Sequence, residues 1–144
     1  PEPMAGGPCP LLYTREFYET ISLRLNKGGS LALQGDNLNP ALLQIHTTIA
    51  NTLKKVFPNV DSYGAYIPSF DTRWGFFHAS FSPTAGTFNS SRLKERIEKR
   101  GLGSLRFYDP PTHIHMFNQP RYVRKALADE QRISTDSNPI FTYA

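Results

Sequence analysis

Two apolar runs with one amphipathic stretch between them fix most of what this chain can build. Ser30 to Gln34 reads as a short buried strand, because Leu31-Ala32-Leu33 is apolar on both faces, as a parallel central strand needs. Asn39 followed by Pro40 is a cap and first-turn pair. After it Leu42, Ile45, Ile49, Leu53 and Val56 keep helical period until Pro58 stops the pattern. Val60 to Ile67 is strand-like again, so the unit is strand, helix, strand. Trp74 to Phe81 is a further strand, separated from the previous one only by Pro68-Ser69-Phe70-Asp71-Thr72-Arg73. With no helix between them, these last two are expected to pair antiparallel.

The flanks extend the same order. Thr14 is placed to cap a helix whose apolar residues Phe17, Ile21 and Leu25 recur every fourth position, with Gly28-Gly29 as its stop. A loop through Pro83 and Gly86 leads to a charged helix over 91–100 closed by Gly101. Leu105 to Tyr108 reads as a last strand and Arg121 to Ala128 as a last helix. The reading is therefore α/β: half of an open sheet ending in an antiparallel hairpin, with no repeat or linker dividing residues 1–144. Sheets of this kind bind ligand at the carboxyl ends of their strands. The loops that matter are then those before Thr14, after Gln34 and after Ile67.

Composition narrows the class of function. Apolar residues make up 39% and aromatics 12%, which suits a packed core. No apolar run approaches the ~20 residues of a membrane-spanning helix, and a single cysteine, Cys9, suits a reducing, cytoplasmic setting. The net charge of +4 is spread along the chain, and its densest run, Arg92 to Arg100, interleaves glutamates at helical spacing. That run reads as a solvated helix face, so no nucleic-acid partner is expected. The opening Pro1-Glu2-Pro3-Met4-Ala5-Gly6-Gly7-Pro8 is loop chemistry without a preceding strand, which suggests a partial chain.

Five motifs, in order, resemble a known family. Gly6-Gly7-Pro8-Cys9 with Leu12-Tyr13-Thr14 and Glu16-Phe17-Tyr18 is the first, and Leu33-Gln34-Gly35 at a strand end is the second. Ile67-Pro68-Ser69-Phe70 and Trp74-Gly75-Phe76 are the third and fourth. The tail Tyr108, His113, Phe117, Pro120 and Arg124-Lys125-Ala126-Leu127 is the fifth. Together they resemble the C-terminal half of the polyamine aminopropyltransferases, the spermidine and spermine synthase family. Gly-Gly-Pro-Cys, Ser69-Phe70 and the short step from Phe70 to Trp74 look most like its plant-type thermospermine synthases; spermidine or spermine synthase stays open. The resemblance implies a Rossmann-like, methyltransferase-type sheet. It implies aminopropyl transfer from decarboxylated S-adenosylmethionine, a co-substrate, to a polyamine such as spermidine, with no cofactor and no metal. It also implies a homodimer as the full-length enzyme.

Such a reaction must deprotonate one ammonium and align it with the C–S bond while holding the other cationic ends. In the family the base is the first aspartate of a D-x-x-D-P segment, which would precede Pro1; no catalytic residue is therefore expected within the chain, and this half alone is expected to be inactive. Glu2 takes the second acidic position of that segment. Pro8, Cys9 and Leu12 match positions beside the adenine. Gln34 offers an amide to an ammonium, and Phe70 with Trp74 could wall a methylene chain. Asp36 and Asp71 are the nearest local carboxylates. His46, His78, His113 and His115 lack the carboxylate or cysteine pattern of a zinc site, and His113 matches a structural position of the family. A non-catalytic partial chain that keeps a packing or dimer surface is the competing reading.

Overall fold

The computed structural model describes residues 9–83 and 85–141; the sequence expectations for Glu2 and Pro8 lie outside them. Thr14 ends a 310 turn over Cys9–Tyr13 and caps α1 (Arg15–Ser22), its hydroxyl oxygen accepting from the Phe17 N–H at 3.3 Å. The helix stops short of the expected Gly28-Gly29. Leu23 is 85% exposed, so the apolar stripe that holds α1 to the core lapses there. Gly28, with φ of +78°, serves instead to turn the chain into the first strand.

β1 (Ser30–Asn37), β2 (Asn59–Ile67) and β3 (Thr72–Ser80) form one sheet in the order β1-β3-β2, with β3 antiparallel to both neighbours. β1 and β2 therefore run parallel, and α2 (Gln44–Leu53) crosses between them. The expected hairpin is present. The expectation of β1 as a central strand with parallel neighbours is corrected: β3 inserts beside it, and among the described residues it has no other partner. Leu31 and Leu33 lean on the core while Ala32 and Gln34 are exposed on the opposite face.

α2 also starts later than Asn39-Pro40 suggests. The Asn39 side chain accepts from the Ala41 N–H at 3.0 Å and its carbonyl from the Leu42 N–H at 2.9 Å, closing a turn first. The helix then buries nearly every residue. Ile45, Ile49, Ala50 and Leu53 meet Phe77 and Ala79 of β3, together with Tyr13, Tyr18 and Phe57. This is one face of the sheet.

On the other face, α3 (Ser90–Lys99), capped by Asn89 and followed by Gly101 at φ +66°, matches expectation. Leu105 to Tyr108 does not form the expected strand: Leu105 and Phe107 are 46% and 65% exposed, and no strand edge receives them. Asp109 accepts from the Thr112 N–H at 2.8 Å and caps α4 (Pro110–Phe117), an element the sequence reading omitted. Tyr108 bonds the His113 Nδ1 at 2.6 Å, His113 stacks on Phe117, and Phe117 stacks on Tyr63 of β2. His113 is thus structural, holding α4 to the sheet. α5 (Arg121–Asp129) follows, and the chain after it is stitched back across α2 and α1. Thr47 donates to Glu130 at 2.6 Å, the Ser134 N–H donates to Thr52 at 2.9 Å, and the Arg15 N–H donates to the Ser134 carbonyl at 2.9 Å.

Candidate active site

Because β1 and β2 are parallel, their carboxyl ends open at the same edge, and the first residues of β3 lie between them. Asn37 of β1 and Ala65 of β2 both pair with Trp74 in register. After β2, Pro68–Phe70 makes a 310 turn that ends on Asp71 in the left-handed region, φ 47°, before β3 begins at Thr72. This tight reversal folds Phe70 back over Trp74, ring centroids 4.6 Å apart and tilted by 49°. Trp74 is only 6% exposed, whereas Phe70 is 46% exposed. Phe70 is thus the surface of the pair and Trp74 its backing, a division the sequence did not assign. The Trp74 indole N–H is buried without a partner among the described residues.

The sequence puts Gln34 at a strand end, yet β1 continues to Asn37 through an irregularity between the two. Gln34 pairs with Phe76 and is exposed, on the face opposite α2. Directly opposed residues share a face, so Gln34 lies beside Phe76, itself one alternation along β3 from Trp74. Cys9 and Leu12 belong to the 310 turn that leads into α1, Cys9 half-buried and Leu12 exposed. The structure therefore brings Phe70, Trp74 and, one step deeper, Gln34 into one region.

Of the two loop carboxylates, Asp36 sits at φ 69° and accepts from the Asn37 N–H at 2.5 Å. Asp71 accepts from the Tyr66 hydroxyl, and that bond, ahead of burial, raises the Tyr66 pKa. Both acids are engaged in shaping their own turns. Asn37 itself orders the edge, its side-chain oxygen accepting from the Asn39 N–H at 2.7 Å and the Thr72 hydroxyl at 3.5 Å.

Behind this edge lies a residue that the sequence offered only as a mid-helix histidine. His46 is fully buried and stacks on Phe77 at 4.3 Å. Its Nδ1 lies 2.7 Å from the Gly35 carbonyl and its Nε2 2.8 Å from the Ser62 hydroxyl. A carbonyl only accepts, so Nδ1 carries the proton and Nε2 accepts from Ser62. Ser62 in turn accepts from Gln119 at 3.3 Å, and the Gln119 oxygen accepts from Arg73 at 3.4 Å. One directional chain thus links the end of β1, α2, β2, the α4–α5 connection and β3. Burial lowers the His46 pKa to about 4, although the bond to Gly35 pulls the other way. Gly35 and Gly75 leave room for the ring: a Cβ at Gly75 would stand 2.4 Å from Nδ1, and one at Gly35 2.8 Å. Glycines lining a buried polar side chain are the signal that sequence alone carries for such a site. No group of three metal-binding side chains occurs among the described residues, and none of their helices is long and apolar enough to cross a membrane.

Comparison with known proteins shows the family and the fold. The family model for the spermine/spermidine synthase domain matches residues 2–90. Among curated relatives, a polyamine aminopropyltransferase of Sulfolobus acidocaldarius is 39% identical over 143 residues, covering 99% of this chain and 47% of that protein. One from Sulfurisphaera tokodaii is 39% identical over 140 residues, 96% of this chain and 45% of its own length. The chain thus spans about half the length of the curated relatives it matches. Spermidine synthase from Thermotoga maritima superimposes with a TM-score of 0.66 at 22% identity, over 86% of this chain and 41% of that one. A spermidine synthase in complex with the transition-state analogue AdoDATO gives 0.65 at 22% identity, over 81% and 39%. The structural likeness establishes the fold, with β3 inserted between β1 and β2, and the sequence match establishes the kinship: this chain belongs to the spermine/spermidine synthase domain family.

Proposed function

We propose that this chain is the C-terminal half of an aminopropyltransferase domain and forms the acceptor side of its active site. The observation that carries this is the Phe70–Trp74 pair at the shared edge of β1 and β2, in a chain of this family. In the reaction an amine nitrogen of the polyamine attacks the carbon beside the sulfonium of decarboxylated S-adenosylmethionine. The C–S bond breaks with its electron pair passing to sulfur, and methylthioadenosine leaves. The ammonium proton goes to a carboxylate base, which we assign to the half of the domain that precedes these residues. The sulfonium already activates the carbon, so the step calls for no cofactor or metal. Phe70 walls the methylene chain, Trp74 supports it, and Gln34 offers its amide to an ammonium. Cys9 and Leu12 line the adenine side; Pro8, expected beside the adenine, and Glu2, expected at the second acidic position of the base segment, lie outside the described residues.

Within the family, we assign the acceptor as spermidine and the product as thermospermine, on Ser69-Phe70 and the short loop to Trp74. The enzyme is expected to act as a homodimer in the cytoplasm. The test is incubation with decarboxylated S-adenosylmethionine and either putrescine or spermidine, with methylthioadenosine quantified and the polyamine products resolved. The 144-residue chain alone is expected to give no turnover, because loss of a general base typically costs ~10²–10⁴-fold. A form carrying the preceding half is expected to convert spermidine. Turnover by the chain alone would overturn the placement of the base, and preference for putrescine would overturn the choice of acceptor.

A further inference from the structure

At the opposite ends of the same strands lies a second cavity. Ser30 opens β1 and pairs with Ser80, which closes β3, whereas Asn37 and Trp74 pair at the far end. Beside Ser30 is a recess of about 460 Å³ whose wall includes Ser82, His78 and three arginines, Arg92 and Arg96 of α3 and Arg100 at its C-cap. The arginines stand four residues apart, so α3 and its C-cap bring them to a single side. The glutamates that made this run look like an ordinary solvated helix do not line the recess.

Two further observations mark the arginines as waiting for an anion. Arg92 and Arg96 both lie against the Phe88 ring, their guanidinium carbons 4.6 and 4.9 Å from its centroid. The ring thus holds two like charges around one point. Like charges at this spacing oppose the helix. Among the described residues no carboxylate stands within 4.0 Å of Arg92, Arg96 or Arg100, although Lys94 of the same helix pairs with Glu98. No acid lines the recess among the described residues; Asp61, which faces His78 Nδ1 at 3.8 Å, accepts from the Gly86 N–H at 3.2 Å.

We propose that this recess binds a small oligophosphate, a diphosphate or triphosphate group. Guanidinium forks match phosphate oxygens bidentately, and the Ser30 and Ser82 hydroxyls and the His78 ring supply further polar groups on the other wall. A helix rises about 1.5 Å per residue, so successive arginines step by about 6 Å. A single phosphate spans one such step, whereas a chain of two or three phosphoryl groups reaches all three arginines. A concave recess closed on one side by strand ends suits a compact ligand rather than a long polymer. The site lies away from the Phe70–Trp74 edge, so it is independent of the transfer reaction proposed above.

The test is titration of inorganic triphosphate into the purified protein carrying the whole of this sequence, at about 150 mM salt so that unspecific charge attraction is screened. Saturable binding of one equivalent is expected. R92Q and R96Q should each weaken it by roughly tenfold or more, while K94Q, on the same helix but outside the recess, leaves it unchanged. Melting curves of the variants should overlay, since all three side chains are exposed. Absence of saturable binding, or an equal loss in K94Q, overturns the proposal. A single-stranded oligonucleotide binding more tightly than triphosphate through the same arginines overturns it in favour of a nucleic-acid surface. Displacement of triphosphate by decarboxylated S-adenosylmethionine overturns it by placing the ligand at the transfer site instead.

Discussion

At the scale of single residues, His46 and Glu130 carry the acid sensitivity of this protein. The folded pKa of His46, about 4, lies below its ordinary 6.5. Below pH 6.5 the unfolded chain therefore takes up a proton that the folded one refuses. The stability due to the neutral ring is complete above 6.5 and is lost as pH falls towards 4. The shift corresponds to roughly 3 kcal/mol. Glu130 titrates lower. Burial pushes its carboxyl up, but bonds from Arg132, Thr47 and the Arg132 N–H outweigh that and hold it at about 2, against 4.5. Its contribution is present above 4.5 and fades as pH falls to 2. Urea unfolding at pH 7 and pH 5 checks the first window: H46Q should remove most of the difference between the two midpoints. A midpoint difference unchanged in H46Q would place that loss elsewhere. Gly75→Ala attacks the same site from the strand, since its Cβ would stand 2.4 Å from the imidazole. Overpacking of this kind costs about 1–3 kcal/mol, read as a lowered melting temperature.

At the scale of elements, what the sequence conveyed depended on how local the cause was. Thr14 announces α1, and Asn89 sits ahead of α3 in the same way, because a cap bonds within its own first turn. Asp109-Pro110 carries the same signal for α4, and the apolar residues Leu105 and Phe107 just before it masked it as a strand. Asn39-Pro40 misled in the opposite direction, because an asparagine turn and a helix cap use the same side-chain bond. The candidate site was legible as two loops, after β1 and after β2. The division of labour within it was not, because which of Phe70 and Trp74 faces out is decided by the 310 turn and the left-handed Asp71. That division has a kinetic consequence in a form of the enzyme carrying both halves of the domain. Phe70→Ala should raise the apparent KM for polyamine by about tenfold through lost apolar contact, with kcat and the KM for decarboxylated S-adenosylmethionine little changed. Gln34→Ala should weaken polyamine by roughly ten- to a hundredfold, the value of a hydrogen bond to a charged group. Trp74→Ala should cost at least as much and also lower stability, since the indole is packed beneath Phe70. Variants at all three positions with normal polyamine kinetics would show that this edge does not receive the acceptor.

At the scale of the whole molecule, the order of elements from α1 to α3 was readable because period and turn residues mark it along the chain, whereas the position of β1 within the sheet was not. Leu31-Ala32-Leu33 is apolar enough for a strand enclosed by parallel neighbours, yet among the described residues β1 meets only β3 and leaves Ala32 and Gln34 exposed. Its outer edge offers unpaired backbone groups, a template for adding another strand. The face opposite α2 carries a second unsatisfied surface, an apolar recess of about 390 Å³ walled by residues such as Tyr63, Tyr66, Phe76, Phe107 and Met116. Relatives about twice as long have further chain with which to cover such surfaces. Produced by itself, the 144-residue chain is therefore expected to bind an apolar-surface dye strongly and to melt broadly, because open edges and apolar patches favour association over one cooperative state. A form extended by the preceding half should bind the dye weakly and melt at a higher temperature, in a sharper transition. Calorimetry with light scattering on both forms decides the matter: a sharp two-state melt of the short chain as a monomer would show that β1 needs no further strand.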